Sequence, residues 1–151
     1  MKKYIGTKII KATPMTRGEY NCYRGWNIPE NENPEDKGYL VEYSDGYQSW
    51  SPEKQFEDAY RECDNMTFGL AIEALKRGLK VARTGWNGKE MFLFIARDID
   101  FTTKADLSCV SDLEGELSLP SIVMKTADNH FCVGWLASQT DMLAEDWKIV
   151  E

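Results

Sequence analysis

Histidine is nearly missing from this chain: His130 stands alone among 151 residues. Four cysteines accompany it, Cys22, Cys63, Cys109 and Cys132, with no C-x-x-C spacing between any two. His130 and Cys132 share a strand face, but two ligands are too few for a four-coordinate zinc ion, so no metal and no other cofactor is expected. The cysteines read as small hydrophobes that a cytosolic chain keeps reduced. Long apolar runs are also lacking. The longest, residues 91–96, falls far short of the ~20 residues a membrane-spanning helix needs. At the amino terminus Lys2 and Lys3 resemble the start of a signal peptide, but Gly6, Thr7 and Lys8 interrupt any apolar core after them. The chain is expected to stay in the cytosol where it is made.

A basic face is absent too. The net charge is −7 and acids outnumber bases in both halves. Polymeric nucleic acid is therefore a poor partner, because its affinity comes from Lys and Arg neutralising phosphates. A small anionic ligand remains compatible, since a few local cations and backbone N–H groups outweigh a distant negative field screened within ~10 Å. No P-loop, no G-x-G-x-x-G and no Ser-His-Asp or Cys-His arrangement occurs at motif spacing. Asp and Glu are plentiful, but nothing places a general acid opposite a base. The expected role is binding rather than catalysis.

What the chain has is enough apolar residue, 42% hydrophobic, for one ordinary domain or two small ones. Residues 4–12 read as a strand that Pro14 ends, and residues 16–34 as ordered loop with a turn of helix near 17–20. Residues 39–43 and 47–50 flank Ser44-Asp45-Gly46, a hairpin in which Asp-Gly supplies positive φ. Ser51 is expected to cap a helix with Pro52 at its first position, and Phe56, Ala59, Tyr60 and Cys63 on the face that packs on the hairpin. These elements make a small β-rich module over residues 1–63. Its aromatics, Trp26 and Trp50 among them, fit core and loop anchoring better than a binding surface.

Glu62 to Asn65 reads as a joint, and residues 66–151 as a second domain of the α+β class: an N-terminal helix packed on an antiparallel sheet. Thr67 caps the helix, Phe68, Ala71, Ile72, Leu75 and Leu79 form its stripe, and Gly78 stops it. Strands follow over residues 81–84, 91–96, 120–126 and 130–135, with a turn at 127–129, then a short helical turn and a closing strand over 148–150. Phe131, Val133 and Trp135 alternate onto one face. Between the strands, residues 97–119 carry Asp98, Asp100, Asp106, Asp112, Glu114 and Glu116. The calcium-loop spacing is absent, so a solvated insertion is expected there.

The candidate site begins at Val81-Ala82-Arg83-Thr84-Gly85-Trp86-Asn87-Gly88-Lys89, a strand running into a Trp-Asn pair between two glycines. The glycines are expected to make a sharp turn that leaves Trp86 room on both faces. An indole beside a side-chain amide suits a nucleobase: Trp86 stacks, and Asn87 offers a donor and an acceptor to the base edge. The alternative is a core tryptophan after a turn. Trp135 and the run Ser138-Gln139-Thr140-Asp141 also follow a strand, and both segments are expected to converge at one sheet end or across a subunit interface. Trp135 would then flank the base, Ser138 and Thr140 would reach ribose or phosphate oxygens, and Asp141 would accept from ribose hydroxyls. Arg83, Lys89 and Lys125 are the cations available to a pyrophosphate.

Four blocks carry a family resemblance: residues 66–78 (MTFGLAIEALKRG), 83–89 (RTGWNGK), 124–128 (MKTAD) and 135–147 (WLASQTDMLAEDW). In that order they resemble the second Thoeris anti-defence family of phage proteins. The resemblance implies a sponge that binds the glycocyclic ADP-ribose messenger of Thoeris immunity without degrading it. Some relatives also capture cyclic dinucleotides of CBASS immunity in a separate pocket. It further implies a homotetramer with ligand pockets between subunits. Residues 1–63 are similar to a short module placed ahead of unrelated domains in other small phage proteins, which implies no activity. Two other functions compete with the sponge: a messenger-degrading enzyme and a phage protein-interaction module.

Overall fold

Antiparallel pairing organises both halves of the chain. A computed structural model describes residues 1–3, 6–97 and 119–151, and these divide into two units, Met1–Arg61 and Glu62–Glu151. The acidic positions 98–116 and Cys109 lie outside the described residues, as do Tyr4 and Ile5.

In the first unit β1 (Lys11–Pro14), β2 (Gly38–Glu42) and β3 (Gln48–Pro52) form a three-stranded sheet in that order. The first strand starts later than the expected span of residues 4–12 and ends on Pro14 itself. Pro14 pairs with Tyr39 on an edge strand, where a missing N–H costs least. The turn of helix expected near residues 17–20 extends to the two-turn helix α1 (Arg17–Arg24). A reciprocal capping box explains it: Glu19 N donates to Thr16 Oγ1 at 3.2 Å and Thr16 N donates to Glu19 Oε2 at 2.8 Å.

The β2–β3 hairpin forms as expected, but Gly46 alone takes positive φ, at 82°. Asp45 instead accepts from Tyr47 N at 3.0 Å, and three residues close the loop between Tyr43 and Tyr47. Ser51 and Pro52 belong to β3, so Ser51 does not cap α2 (Glu53–Ala59). The first N–H of α2 is satisfied by the backbone, Glu53 N donating to Lys37 O at 3.0 Å. The helix ends before Tyr60 and Cys63; Phe56 stacks on Tyr39 with ring centroids 4.1 Å apart, which docks it on the hairpin.

The second unit is α+β. The helix α3 (Phe68–Lys76) lies on a five-stranded sheet of β4 (Lys80–Arg83), β5 (Phe92–Ala96), β6 (Ser121–Lys125), β7 (Phe131–Val133) and β8 (Trp147–Val150). Spatial order is β7-β6-β5-β4-β8, with every pairing antiparallel. Thr67 caps α3 by accepting from Leu70 N. The apolar stripe then buries Ala71, Ala74 and Leu75 against Val81, Leu93 and Trp147. Each large aliphatic side chain so buried stabilises the unit by roughly 1.5–3 kcal/mol.

The β6–β7 turn repeats the geometry of the first hairpin: Thr126 N donates to His130 O and Asn129 takes φ 63°. Alternation fails just beyond it. Gly134 adopts φ 80°, so Trp135 leaves the face of Phe131 and Val133 and joins the core under α3. From there residues 135–146 must cross from one sheet edge to the other, because β7 and β8 are opposite edges. That crossing carries the one-turn helix α4 (Gln139–Met142) beside α3.

Candidate functional site

The crossing segment meets the end of the β4–β8 ladder, where Arg83 pairs with Trp147. Alternation along β4 points Arg83 to the same face as Val81, beneath α3 and α4. Its guanidinium is held by two carboxylates: Nε donates to Asp146 Oδ1 at 2.8 Å and one terminal nitrogen to Asp141 Oδ1 at 2.9 Å. Arg83 is raised above its ordinary pKa by the hydrogen bonds to Asp146 and Asp141. Asp146 is lowered chiefly by its bond from Arg83. In Asp141 burial pushes upward, but bonds from Ser138 and Arg83 outweigh it and the net shift is downward.

Asp141 is the hub. Trp86 Nε1 donates to its Oδ1 at 3.3 Å, Ser138 Oγ donates to its Oδ2 at 2.6 Å, and Trp147 Nε1 donates to its backbone carbonyl at 3.0 Å. Ser138 is at once the N-cap of α4: Asp141 N donates to Ser138 Oγ and Ser138 N donates to Asp141 Oδ2, each at 3.1 Å. The same pair therefore folds the short helix and fixes the carboxylate.

Four aromatic rings pack together beside the hub, and two of them, Trp86 and Trp147, bond to Asp141. Trp86 lies edge-on to Trp135 and Trp147 at 6.1 and 5.5 Å between centroids, and Phe68 closes the group at 5.4 Å from Trp147. Trp147 is fully buried, while Trp86 and Trp135 are half-buried. Trp86 thus does not stand free on both faces as the flanking glycines suggested. Neither Gly85 nor Gly88 takes positive φ; both are sites of close approach. A Cβ on Gly85 would sit 2.9 Å from Asp146 Oδ2, and one on Gly88 would meet the Met91 side chain.

The structure thus brings together Arg83, Trp86, Trp135, Ser138 and Asp141 within one chain. Thr140 joins at the rim, its Oγ1 2.8 Å from Ser138 Oγ. Asn87, Lys89 and Gln139 are exposed on the two segments that carry the cluster. Lys125 is not brought in. It lies on the opposite face of the sheet, near Phe92 and donating to Glu90 O at 3.1 Å, because position 125 falls out of phase with Met124, which packs on the core. Sequence reasoning missed Asp146 and Phe68. The signal for Asp146 was its place directly before the buried Trp147, opposite Arg83 in an antiparallel ladder.

A groove of about 470 Å³ elsewhere in this unit is lined by Glu62, Cys63, Asp64, Ile149 and Glu151. It shares no residue with the aromatic cluster, and its acids make it a poor receptor for phosphates.

Fold and cluster together define a class: an α+β domain with one helix over an antiparallel sheet, presenting an aromatic, hydrogen-bonded patch where a crossing segment meets a strand end. Residues 66–150 match the model of the Thoeris anti-defense 2-like domain. The chain belongs to that family. A relative, the Thoeris anti-defense 2 protein of Bacillus phage SP01, is 44% identical over 85 residues, which cover 56% of this chain and 94% of the relative. Among the described residues no helix is long and apolar enough to cross a membrane, and no group of His, Cys, Asp and Glu is arranged to hold a metal ion.

Proposed function

We propose that residues 66–150 act as a sponge in the cytoplasm of the host bacterium, binding the glycocyclic ADP-ribose messenger of Thoeris immunity and holding it intact. The observation that carries this reading is the convergence of Trp86, Trp135, Ser138 and Asp141 at one sheet end, inside the stretch that matches the family. The base stacks on the accessible part of the two half-buried indoles, a contact worth roughly 1–3 kcal/mol per stacked base. Asn87 reads the base edge. Thr140 and Ser138 reach ribose or phosphate oxygens, and Gln139 lies exposed beside them. Asp141 reaches ribose hydroxyls by exchanging its bond from Ser138 Oγ, because Arg83, Trp86, Ser138 Oγ and Ser138 N together occupy both of its carboxylate oxygens. Arg83 is already held by two carboxylates, so the exposed Lys89 is the better cation for the pyrophosphate.

A second copy of the chain is the natural further partner. Phe131 and Val133, on the edge strand β7, are 65% and 46% exposed, and Leu136 and Leu143 of the crossing segment are more exposed still. Burying such residues against a symmetry mate, up to a homotetramer, removes apolar surface from water and protects a strand edge. Neither a polymeric nucleic acid nor a membrane is proposed as a partner.

The test is to incubate messenger with protein, denature the protein by heat, and analyse the supernatant by mass spectrometry. A sponge releases intact messenger. Fragments would instead identify a degrading enzyme, and failure to capture anything would leave a protein-interaction module. Cyclic dinucleotides of CBASS immunity are the second messenger class to put through the same procedure.

A further inference from the structure

The loop that carries Trp86 is held by a residue at the other end of the domain sequence. Asp146 Oδ2 accepts from Gly85 N at 2.8 Å, its Oδ1 accepts from Arg83 Nε at 2.8 Å, and its backbone carbonyl accepts from Thr84 N at 3.1 Å. One residue thus engages three consecutive positions before Trp86. Asp146 is itself fixed, since it immediately precedes Trp147, which is fully buried and bonded through its backbone to Met66. Gly85 completes the arrangement. Its φ is not positive, so glycine is not required there for backbone conformation. A Cβ would lie 2.9 Å from Asp146 Oδ2, so glycine is what lets the carboxylate reach the Gly85 N–H.

We propose that Asp146 is the positioning residue of the Trp86 site, clamping the Arg83 side chain and the Thr84–Gly85 backbone so that the indole is presented to ligand at a fixed angle without Asp146 touching the ligand. The proposal rests on the binding role given above for Trp86. Because the Asp146 carboxylate is engaged by Gly85 and Arg83 together, loss of either partner loosens the loop while the core under α3 stays packed.

Two measurements on the full chain test this. The first is amide hydrogen exchange in Asp146→Ala, with no ligand present. Exchange at Gly85 and Trp86 should speed up by about tenfold or more, with the β5 amides unchanged. The second is a double-mutant cycle with Trp86→Leu, titrating synthetic glycocyclic ADP-ribose. Asp146→Ala should weaken binding by about tenfold in the wild-type background and by less than about twofold in Trp86→Leu, because a residue that acts through Trp86 has nothing left to position. Gly85→Ala, which keeps Asp146 but displaces its carboxylate, should reproduce both results and serves if Asp146→Ala does not fold. Additive losses in the cycle, or unchanged exchange at Gly85 and Trp86, would overturn the clamp. A wild-type chain that binds no messenger sinks the proposed function instead, and the exchange result then decides the clamp by itself.

Discussion

Trp86 has a place in the packing and a proposed role in binding, and the two set how it must be tested. It is half-buried between Trp135 and Trp147, and its N–H is spent on Asp141. Removing the ring altogether leaves a cavity as well as a lost stack, so Trp86→Ala should destabilise the second unit by about 2–3 kcal/mol, somewhat below the usual cost for a buried tryptophan. Trp86→Phe keeps a ring but not the N–H; titration calorimetry should show affinity lowered about tenfold, some 1.4 kcal/mol, in a protein whose melting temperature moves little. Unaltered binding in the folded Phe variant would make the indole N–H irrelevant to the site. Arg83 predicts a pH dependence. Asp141 and Asp146 both have folded pKa values below the ordinary aspartate range, so their contribution is full above about pH 4 and is lost as pH falls through the lowered values. Denaturant melts between pH 5 and pH 2 should show a steep acid limb in the wild type and a flatter one in Arg83→Gln. An equal slope in the two would mean that the ion pairs contribute nothing measurable.

At the scale of the element, the short helices depend on their caps. The helix α4 is a single turn, too short to persist alone, and Ser138 and Asp141 hold it by a reciprocal pair of bonds. Ser138→Ala should cost about 1 kcal/mol of stability and also release one bond to the Asp141 carboxylate. Its signature is therefore a combined loss, in chemical denaturation and in messenger affinity. Thr67→Ala, which uncaps α3 without touching the cluster's polar groups, should cost a similar ~1 kcal/mol and leave affinity nearly unchanged. Equal affinity losses in the two variants would show that Ser138 acts only through the fold.

At the scale of the whole molecule, the chain divides between Arg61 and Glu62, at the start of the polar joint read over Glu62–Asn65. Ile149 N donates to Cys63 O at 2.9 Å and the second unit begins at Glu62. A fragment of residues 62–151 should fold and retain messenger binding, whereas one starting at Met66 loses a backbone bond on the edge strand β8 and should melt several degrees lower. A well-folded 62–151 fragment without affinity would give the first unit a part in binding. Light scattering on the full chain should report a multimer, and a monomer that still binds tightly would sink the shared-assembly reading.

The residues alone determined the α+β class, the strand and turn pattern of the second unit and the helix cap at Thr67, whereas the cap expected at Ser51 does not form. Periodicity and turn chemistry are local, which is why these elements were legible. Ser51 failed because tertiary pairing extended β3 through it and the Lys37 carbonyl satisfied the helix instead. Trp86, Trp135 and Asp141 were recognisable as residues of interest, but their meeting depends on where a segment lands after crossing four strand spacings, which no local pattern encodes. Gly134 was decisive and silent: one positive φ sent Trp135 to the core face and left Phe131 and Val133 outside. Asp146 and the phase that takes Lys125 away from Arg83 are likewise properties of register. Only the assembled sheet, by fixing which strand lies beside which and with what offset, decided that Arg83 meets two aspartates rather than open solvent.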